Sequence, residues 1–187
     1  MFSDIEAKLR TIGCIHVALD TCVIALMDEG DPRKRAQWES LQEQRTAGRI
    51  SWTVATRLVQ DKMGDPDAER RQRHLAEGAA APTPSIFRWD ESFLDVDVFD
   101  GVEGVTAELE LLYKVKERTE QNPESKNLIH DLRDIDHIEA AIRAGADAFL
   151  TTDDKILKKR EFIHSRWGLR ICSPKEILDL LNGQAPQ

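Results

Sequence analysis

The sequence is poor in cysteine and aromatic residues and has no long hydrophobic run. Its 187 residues include 3 Cys, 4 Trp, 6 Phe and a single Tyr. Cys14, Cys22 and Cys172 are an odd number without the spacing of metal ligands, which favours a reducing cytoplasm over a disulfide framework. The most apolar stretch, 15–27, is interrupted by Asp20 and is too short for a bilayer core, so we expect no membrane-spanning helix.

Several catalytic motifs are also missing. The sequence contains no Gly-x-Ser-x-Gly elbow, no Walker loop and no His-Glu-x-x-His, so serine hydrolases, P-loop NTPases and zinc proteases lack their starting residues. Residues 1–6 carry acids where a secretory signal carries Lys or Arg, and we therefore expect no export. A content of 41% hydrophobic and 32% charged residues indicates an ordinary globular domain.

The charge is unevenly distributed. The net charge of -8, from 26 Lys and Arg against 34 Asp and Glu, argues at first against a nucleic-acid partner. Segment 90–113, however, holds eight acids and no base, which accounts for the whole deficit. Segment 151–175 holds seven bases against three acids and is compatible with binding a phosphate backbone. The acidic segment could keep RNA off one face or receive a basic partner.

The hydrophobic pattern predicts strands that alternate with helices, and hence an α/β fold with a parallel sheet. We expect strands at 15–19, 49–52, 148–151 and 169–172, and helices at 3–12, 23–27, 32–47, 53–63, 67–77, 106–120, 130–144, 155–163 and 173–181. Residues 1–14 form an N-terminal helical extension in this prediction. Residues 15–187 form one domain, with an irregular insertion at about 79–103 that starts in a loop at 78–85 rich in Gly, Ala and Pro.

Acidic residues follow the predicted strands. Asp20 and Asp153 come directly after strands, and Asp131, Asp134 and Asp136 gather at the start of the helix before the third strand. The carboxyl ends of parallel strands meet at the edge where such sheets bind ligands. The alternatives are that Asp20 and Asp153 cap helices, and that Asp136 begins a capping box with Glu139 three residues later.

Converging carboxylates repel one another unless a cation lies between them, and their hard oxygen atoms suit Mg²⁺ or Mn²⁺. Such an ion lowers the pKa of a bound water and offsets the charge that develops during attack on a phosphodiester. The pattern therefore predicts metal-dependent phosphodiester hydrolysis.

Three motifs resemble those of the PIN-domain family. The first is Leu19-Asp20-Thr21-Cys22-Val23-Ile24, in which an Asp-Thr pair follows the first strand. The second runs from Asp134-Ile135-Asp136-His137 to Thr151-Thr152-Asp153, and the third is the ending at 171–178 with its Pro and closing helix. The resemblance spans about 15–181 and leaves 79–103 uncovered.

The resemblance implies a three-layer α/β/α fold with a central parallel sheet, Mg²⁺ or Mn²⁺ bound by acids, and endoribonuclease activity on single-stranded or structured RNA. It assigns Asp20 as the first acid, Asp153 as the last, and Asp134, three residues before His137, as the helical one, with Asp136 as its rival. Many members are toxins, so an antitoxin, another protein partner or a homodimer is an expectation of the same kind.

The sequence departs from the family at the second acid, usually a Glu. Arg57 stands near that position, and Asp61, four residues on, is either a fourth metal ligand or a solvated acid. Cys22 stands where the family often has Asn. The alternative function is a catalytically degenerate PIN-like domain that binds RNA or a protein. A phosphoaspartate enzyme with Asp20 as nucleophile is a weaker alternative, because Cys22 occupies the place of its second Asp.

Overall fold

The structure is a computed structural model that describes residues 2–55, 58–63, 65–80, 82–83, 104–122 and 125–183. Its strands are β1 (Ile15–Leu19), β2 (Ile50–Ala55), β3 (Pro82–Thr83), β4 (Ala148–Leu150) and β5 (Arg170–Cys172). Its α-helices are α1 (Ser3–Ile12), α2 (Thr21–Ile24), α3 (Pro32–Thr46), α4 (Leu58–Met63), α5 (Ala68–Ala80), α6 (Val105–Leu112), α7 (Val115–Gln121), α8 (Lys126–Arg143), α9 (Asp154–Leu157), α10 (Arg160–Trp167) and α11 (Pro174–Leu181). A short 3-10 helix follows α2 at Ala25–Asp28.

The five strands form one sheet in the order β3-β2-β1-β4-β5, and every neighbouring pair is parallel. β1 lies in the centre, with Ile15 opposite Ile50 on one side and Val17 opposite Ala148 on the other. Because all strands run the same way, the residues that follow them meet at one edge. The prediction of an α/β fold with a central parallel sheet is confirmed.

Each face of the sheet is covered by a core of its own. Successive side chains of a strand point to opposite faces. Ile15, Val17 and Leu19 of β1 pack in one core, which also holds Trp38 and Leu41 of α3. Ala18 packs in the other core with residues of α6, α8 and α10, among them Leu109, Ile135 and Ile163. Helices on both faces are compatible with three α/β/α layers.

The second strand is longer than predicted. β2 continues through Thr53, Val54 and Ala55, where the sequence pattern predicted the start of a helix. Thr53 and Val54 are β-branched, buried, and paired with the central strand, so tertiary packing favours the extended backbone here. α4 therefore begins only after the strand has ended.

Two predicted helices are each divided. The predicted helix 106–120 becomes α6 and α7, because Lys114 between them adopts a left-handed conformation with φ 55°. The break leaves Tyr113, the only tyrosine, buried at the end of α6 with 5% exposure. The predicted helix 155–163 likewise becomes α9 and α10.

The predicted insertion begins later than expected. α5 runs on through Ala80, and Pro82–Thr83 pairs with the end of β2 as an edge strand, where a proline costs no ladder hydrogen bond. Gly78 lies within α5, and a Cβ atom there would collide with the Leu58 side chain, so glycine lets α5 pack closely against α4. The loop predicted at 78–85 is therefore wrong for the described residues, while 84–103 lies outside them.

The N-terminal helix packs onto the domain. Phe2 and Ile5 are buried in the first core. Lys8 Nζ donates to both carboxylate oxygens of Asp147, at 2.6 and 2.7 Å. Along the described part of the chain, no helix is long and apolar enough to cross a membrane.

Candidate active site

Asp20 follows the central strand at the carboxyl edge of the sheet. Its Oδ2 accepts a hydrogen bond from Thr151 Oγ1 at 2.6 Å and another from Cys22 Sγ at 3.1 Å. The residue lies at the N-cap position of α2, but its side chain makes no capping hydrogen bond. The capping interpretation is therefore wrong for Asp20, whose carboxylate is instead held against the end of β4.

Asp153 does cap a helix. Its Oδ1 accepts a hydrogen bond from the backbone N–H of Lys155 at 2.6 Å, at the start of α9. The Asp153 N–H in turn donates to Thr151 Oγ1 at 3.0 Å. The hydroxyl of the fully buried Thr151 thus connects the two strand-end acids. The Thr-Thr-Asp motif contains this residue, but the motif alone does not predict the contact with Asp20.

Asp134 faces these two acids from α8. Burial raises its pKa first, and the charges of Asp20 and Asp153 add to this, bringing the pKa to about 7. It forms no hydrogen bond or ion pair with any residue that the structure describes. The three acids that the resemblance selected are therefore electrostatic neighbours. The charges of His137 and Lys155 only partly offset the rise in the pKa of Asp134.

The other acids of α8 are placed differently. The helix begins at Lys126, four residues before the predicted start, so all of these acids lie inside it. Asp136 and Glu139 lie in the middle of α8, not at its first turn, and their side chains are completely buried. The capping-box interpretation is therefore wrong. Asp131 forms ion pairs with Arg118 and, at 3.7 Å, with Lys155.

Asp61 is engaged by a histidine. Its Oδ2 accepts hydrogen bonds from Thr21 Oγ1 at 2.8 Å and from His137 Nε2 at 2.9 Å, and Arg133 lies 3.6 Å from its Oδ1. Burial alone would lower the pKa of His137, but the hydrogen bond and charge of Asp61, with Asp20 and Asp136 nearby, raise it to about 9. Burial alone would raise the pKa of Asp61, and the contacts with His137, Thr21 and Arg133 outweigh it and lower the pKa to about 2.

This ion pair explains why the Asp61 side chain is only 13% exposed and is not a solvated acid. It also means that both Asp61 oxygens already face donors. Arg57, which the sequence placed near the same position, lies outside the described residues.

In the described part of the chain, the side chains do not form a preassembled metal centre. Among the residues described here, no group of three or more His, Cys, Asp and Glu is arranged so that it could hold a metal ion. Two of the acids turn an oxygen away, Asp20 to Thr151 and Asp153 to the α9 backbone. The donor set nevertheless suits a hard divalent cation, because Asp20, Asp134 and Asp153 offer carboxylate oxygens and repel one another without a charge between them.

Few bases of the segment 151–175 face this edge. Five of them form ion pairs, and these pairs are Lys155–Asp131, Arg160–Glu176, Arg166–Glu108, Arg170–Asp4 and Lys175–Asp179. Lys155 and Lys159 are the two that interact with the acids. The charge of Lys155 opposes the rise in the pKa of Asp134. Burial lowers the pKa of Lys159, and the charges of Asp134 and Asp153 oppose that decrease. The net positive charge of the segment is thus largely neutralised, and Lys158 and Lys159 are its bases that form no ion pair with a described residue.

A comparison of the chain with protein-family models gives no match, and a comparison with curated protein sequences gives none either.

Thr151 supplies a direct test of how the site is held together. We expect Thr151→Val to lower the free energy of unfolding by about 1.5 to 3 kcal/mol, because it removes a buried hydrogen bond to a carboxylate. Thr152→Val is the matched control, since the neighbouring Thr152 side chain is exposed. Urea unfolding of both variants measures the difference, and equal stabilities would contradict the role given to Thr151.

The Asp61–His137 pair predicts a pH dependence of stability. The pKa of His137 is about 9 in the fold against 6.5 for a free histidine, so its contribution is complete below pH 6.5 and is lost as the pH rises through 9. We expect the stability advantage of wild type over Asp61→Asn to shrink across this window by on the order of 2 kcal/mol.

Urea unfolding at a series of pH values measures this advantage. His130→Gln, a change at an exposed histidine of the same helix, should leave the pH profile as it is in the wild type. An advantage of wild type over Asp61→Asn that stays constant from pH 6.5 to 9 would show that His137 is neutral in the fold.

Proposed function

We propose that this protein is a metal-dependent endoribonuclease of the PIN type, which hydrolyses phosphodiester bonds of RNA. One observation carries the proposal. Asp20, Asp134 and Asp153 meet at the carboxyl edge of a parallel sheet, and Asp134, which is partly buried and close to both, forms no hydrogen bond or ion pair with a described residue, although the charges of His137 and Lys155 oppose the rise of its pKa. A fold tolerates such repulsion where function requires the charge.

In this proposal Asp20, Asp134 and Asp153 would hold Mg²⁺ or Mn²⁺. Asp61, the fourth ligand that the sequence suggested, would have to give up a contact with Thr21, His137 or Arg133 to join them. When bound, the ion supplies an activated water and offsets negative charge in the transition state. Thr151 fixes the Asp20 carboxylate by its 2.6 Å hydrogen bond. His137, whose pKa of about 9 keeps it charged at neutral pH, balances Asp61 and reduces the negative charge beside Asp20.

RNA is the proposed substrate because of the motif resemblance and because Lys155 and Lys159 lie beside the acids. A phosphate backbone that approaches three carboxylates needs cations close by. The three cysteines are free thiols, which supports the cytoplasm as the proposed compartment.

A second candidate is a PIN-like domain that binds RNA or a protein partner without hydrolysis. Two observations favour it. Within the described residues no group of acids is arranged to hold a metal, and both Asp61 oxygens are engaged by Thr21, His137 and Arg133. In this candidate the acids at the sheet edge are a remnant, and the lysines beside them carry the binding.

Cleavage of single-stranded RNA separates the two candidates. We expect the purified protein to cut RNA with Mn²⁺ or Mg²⁺ and to stop in EDTA. We expect Asp20→Asn to reduce the rate by about a hundredfold or more, as removal of a group that stabilises transition-state charge does. Gel analysis of labelled RNA over time measures the rate.

The matched control is Asp154→Asn, which removes an exposed carboxylate next to Asp153 and should cleave like the wild type. Cleavage by Asp20→Asn at the wild-type rate would assign the activity to a contaminant or to another site. RNA binding by the wild type without turnover at any metal concentration would favour the second candidate.

A further inference from the structure

A basic pocket adjoins the three acids. It has a volume of about 270 Å³, and its lining includes Tyr113 at the end of α6, Arg118 of α7, Lys155 of α9 and Lys159 just before α10. Asp131 of α8 lies in the same wall. The pocket is thus built where five helices come together beside the carboxyl edge of the sheet.

The pocket carries a net positive charge. Its three cations face one carboxylate, that of the buried Asp131, which Arg118 and Lys155 share between them. Lys159 forms no ion pair with the residues that the structure describes. Its Nζ donates to the Lys155 carbonyl at 3.1 Å and lies 4.1 Å from the centre of the Tyr113 ring, so the ammonium keeps donors for a further partner.

The Tyr113 hydroxyl is a second observation that favours a ligand, separate from the charges of the pocket. It is buried, and no described group forms a hydrogen bond with it. A buried hydroxyl without a partner costs stability, and such groups in folded proteins call for an explanation such as a bound ligand. Burial raises the pKa of Tyr113, and the charges of Asp134, Asp153 and Asp20 raise it further, so this residue borders both the pocket and the acids.

We propose that this pocket binds a phosphate group of the RNA chain next to the acids, with Lys159, Arg118 and the Tyr113 hydroxyl as its donors. The guanidinium and ammonium groups neutralise the phosphate, and the phenol donates one hydrogen bond to its oxygen. The choice of RNA as the polymer rests on the proposed function. The pocket itself rests on the charges and on the unpartnered hydroxyl.

RNA binding tests the role of Lys159. Fluorescence anisotropy of a short labelled single-stranded RNA is followed in EDTA, where no metal-dependent cleavage occurs, over a series of salt concentrations. We expect Lys159→Gln to weaken binding about tenfold and to reduce the slope of log Kd against log salt by about 0.7, the value for one lost phosphate contact on a single strand. Lys158→Gln, a change at the exposed neighbouring lysine outside the pocket lining, should keep the wild-type affinity and slope.

Tyr113→Phe removes only the hydroxyl oxygen. We expect it to weaken RNA binding about fivefold or more, as loss of a hydrogen bond to a charged group does. Its thermal midpoint should not fall, because the hydroxyl has no described partner in the fold. A lower midpoint with unchanged affinity would show a structural hydroxyl and contradict its place in the pocket.

The outcomes separate this inference from the nuclease proposal. If RNA is never cleaved but Lys159→Gln and Tyr113→Phe bind it as expected, the phosphate pocket stands and hydrolysis fails. If RNA is cleaved with Mn²⁺ while both variants bind like the wild type, the pocket fails. Absence of RNA binding by the wild type would also overturn it.

Discussion

Electrostatic repulsion among three carboxylates is the constraint on which the candidate site depends. The parallel sheet delivers Asp20 and Asp153 to one edge, and α8 brings Asp134 against them. Burial denies Asp134 the solvent that would screen its charge, and the two other acids raise its pKa further, to about 7. The fold could relieve this repulsion with a cation from its own side chains, as it does at Asp61 with His137, yet no described residue forms an ion pair with Asp134.

The surrounding residues respond to that constraint. Thr151 donates a hydrogen bond to Asp20, and the backbone at the start of α9 donates one to Asp153. The charged His137 pairs with Asp61, and the negative charge of Asp20 also acts on it. The contacts at Asp20 and Asp153 each engage one carboxylate oxygen, whereas both oxygens of Asp61 face donors. Beside the acids, the pocket lined by Lys159 and Tyr113 adds positive charge and a hydroxyl that has no described hydrogen-bond partner. An edge that is both acidic and flanked by lysines is suited to binding a metal ion and a phosphodiester together.

The sequence predicted the parts of this architecture that local pattern determines. The buried strand Ile15–Leu19, the acids that follow strands, and the closing helix that begins at Pro174 are set by residues near one another in the chain. The predictions were wrong or incomplete where contacts between residues far apart in the chain determine the structure. Thr53 and Val54 are extended because they pair with β1, and the helix break at Lys114 leaves Tyr113 buried beside acids of other elements. The His137–Asp61 pair joins residues 76 positions apart, which no local spacing reveals.

The central claim is that Asp134 bears a charge that the fold leaves for a metal ion, and the stability of Asp134→Asn tests it most directly. The measurement is urea unfolding of wild type and variant at pH 8, first in EDTA and then with Mn²⁺. In EDTA the variant should be more stable by about 2 kcal/mol or more, because a carboxylate whose pKa is raised to about 7 destabilises the fold when it is ionised. Mn²⁺ should then stabilise the wild type and leave the variant almost unchanged. A variant that is less stable than the wild type in EDTA, or that gains as much from Mn²⁺, would contradict the account.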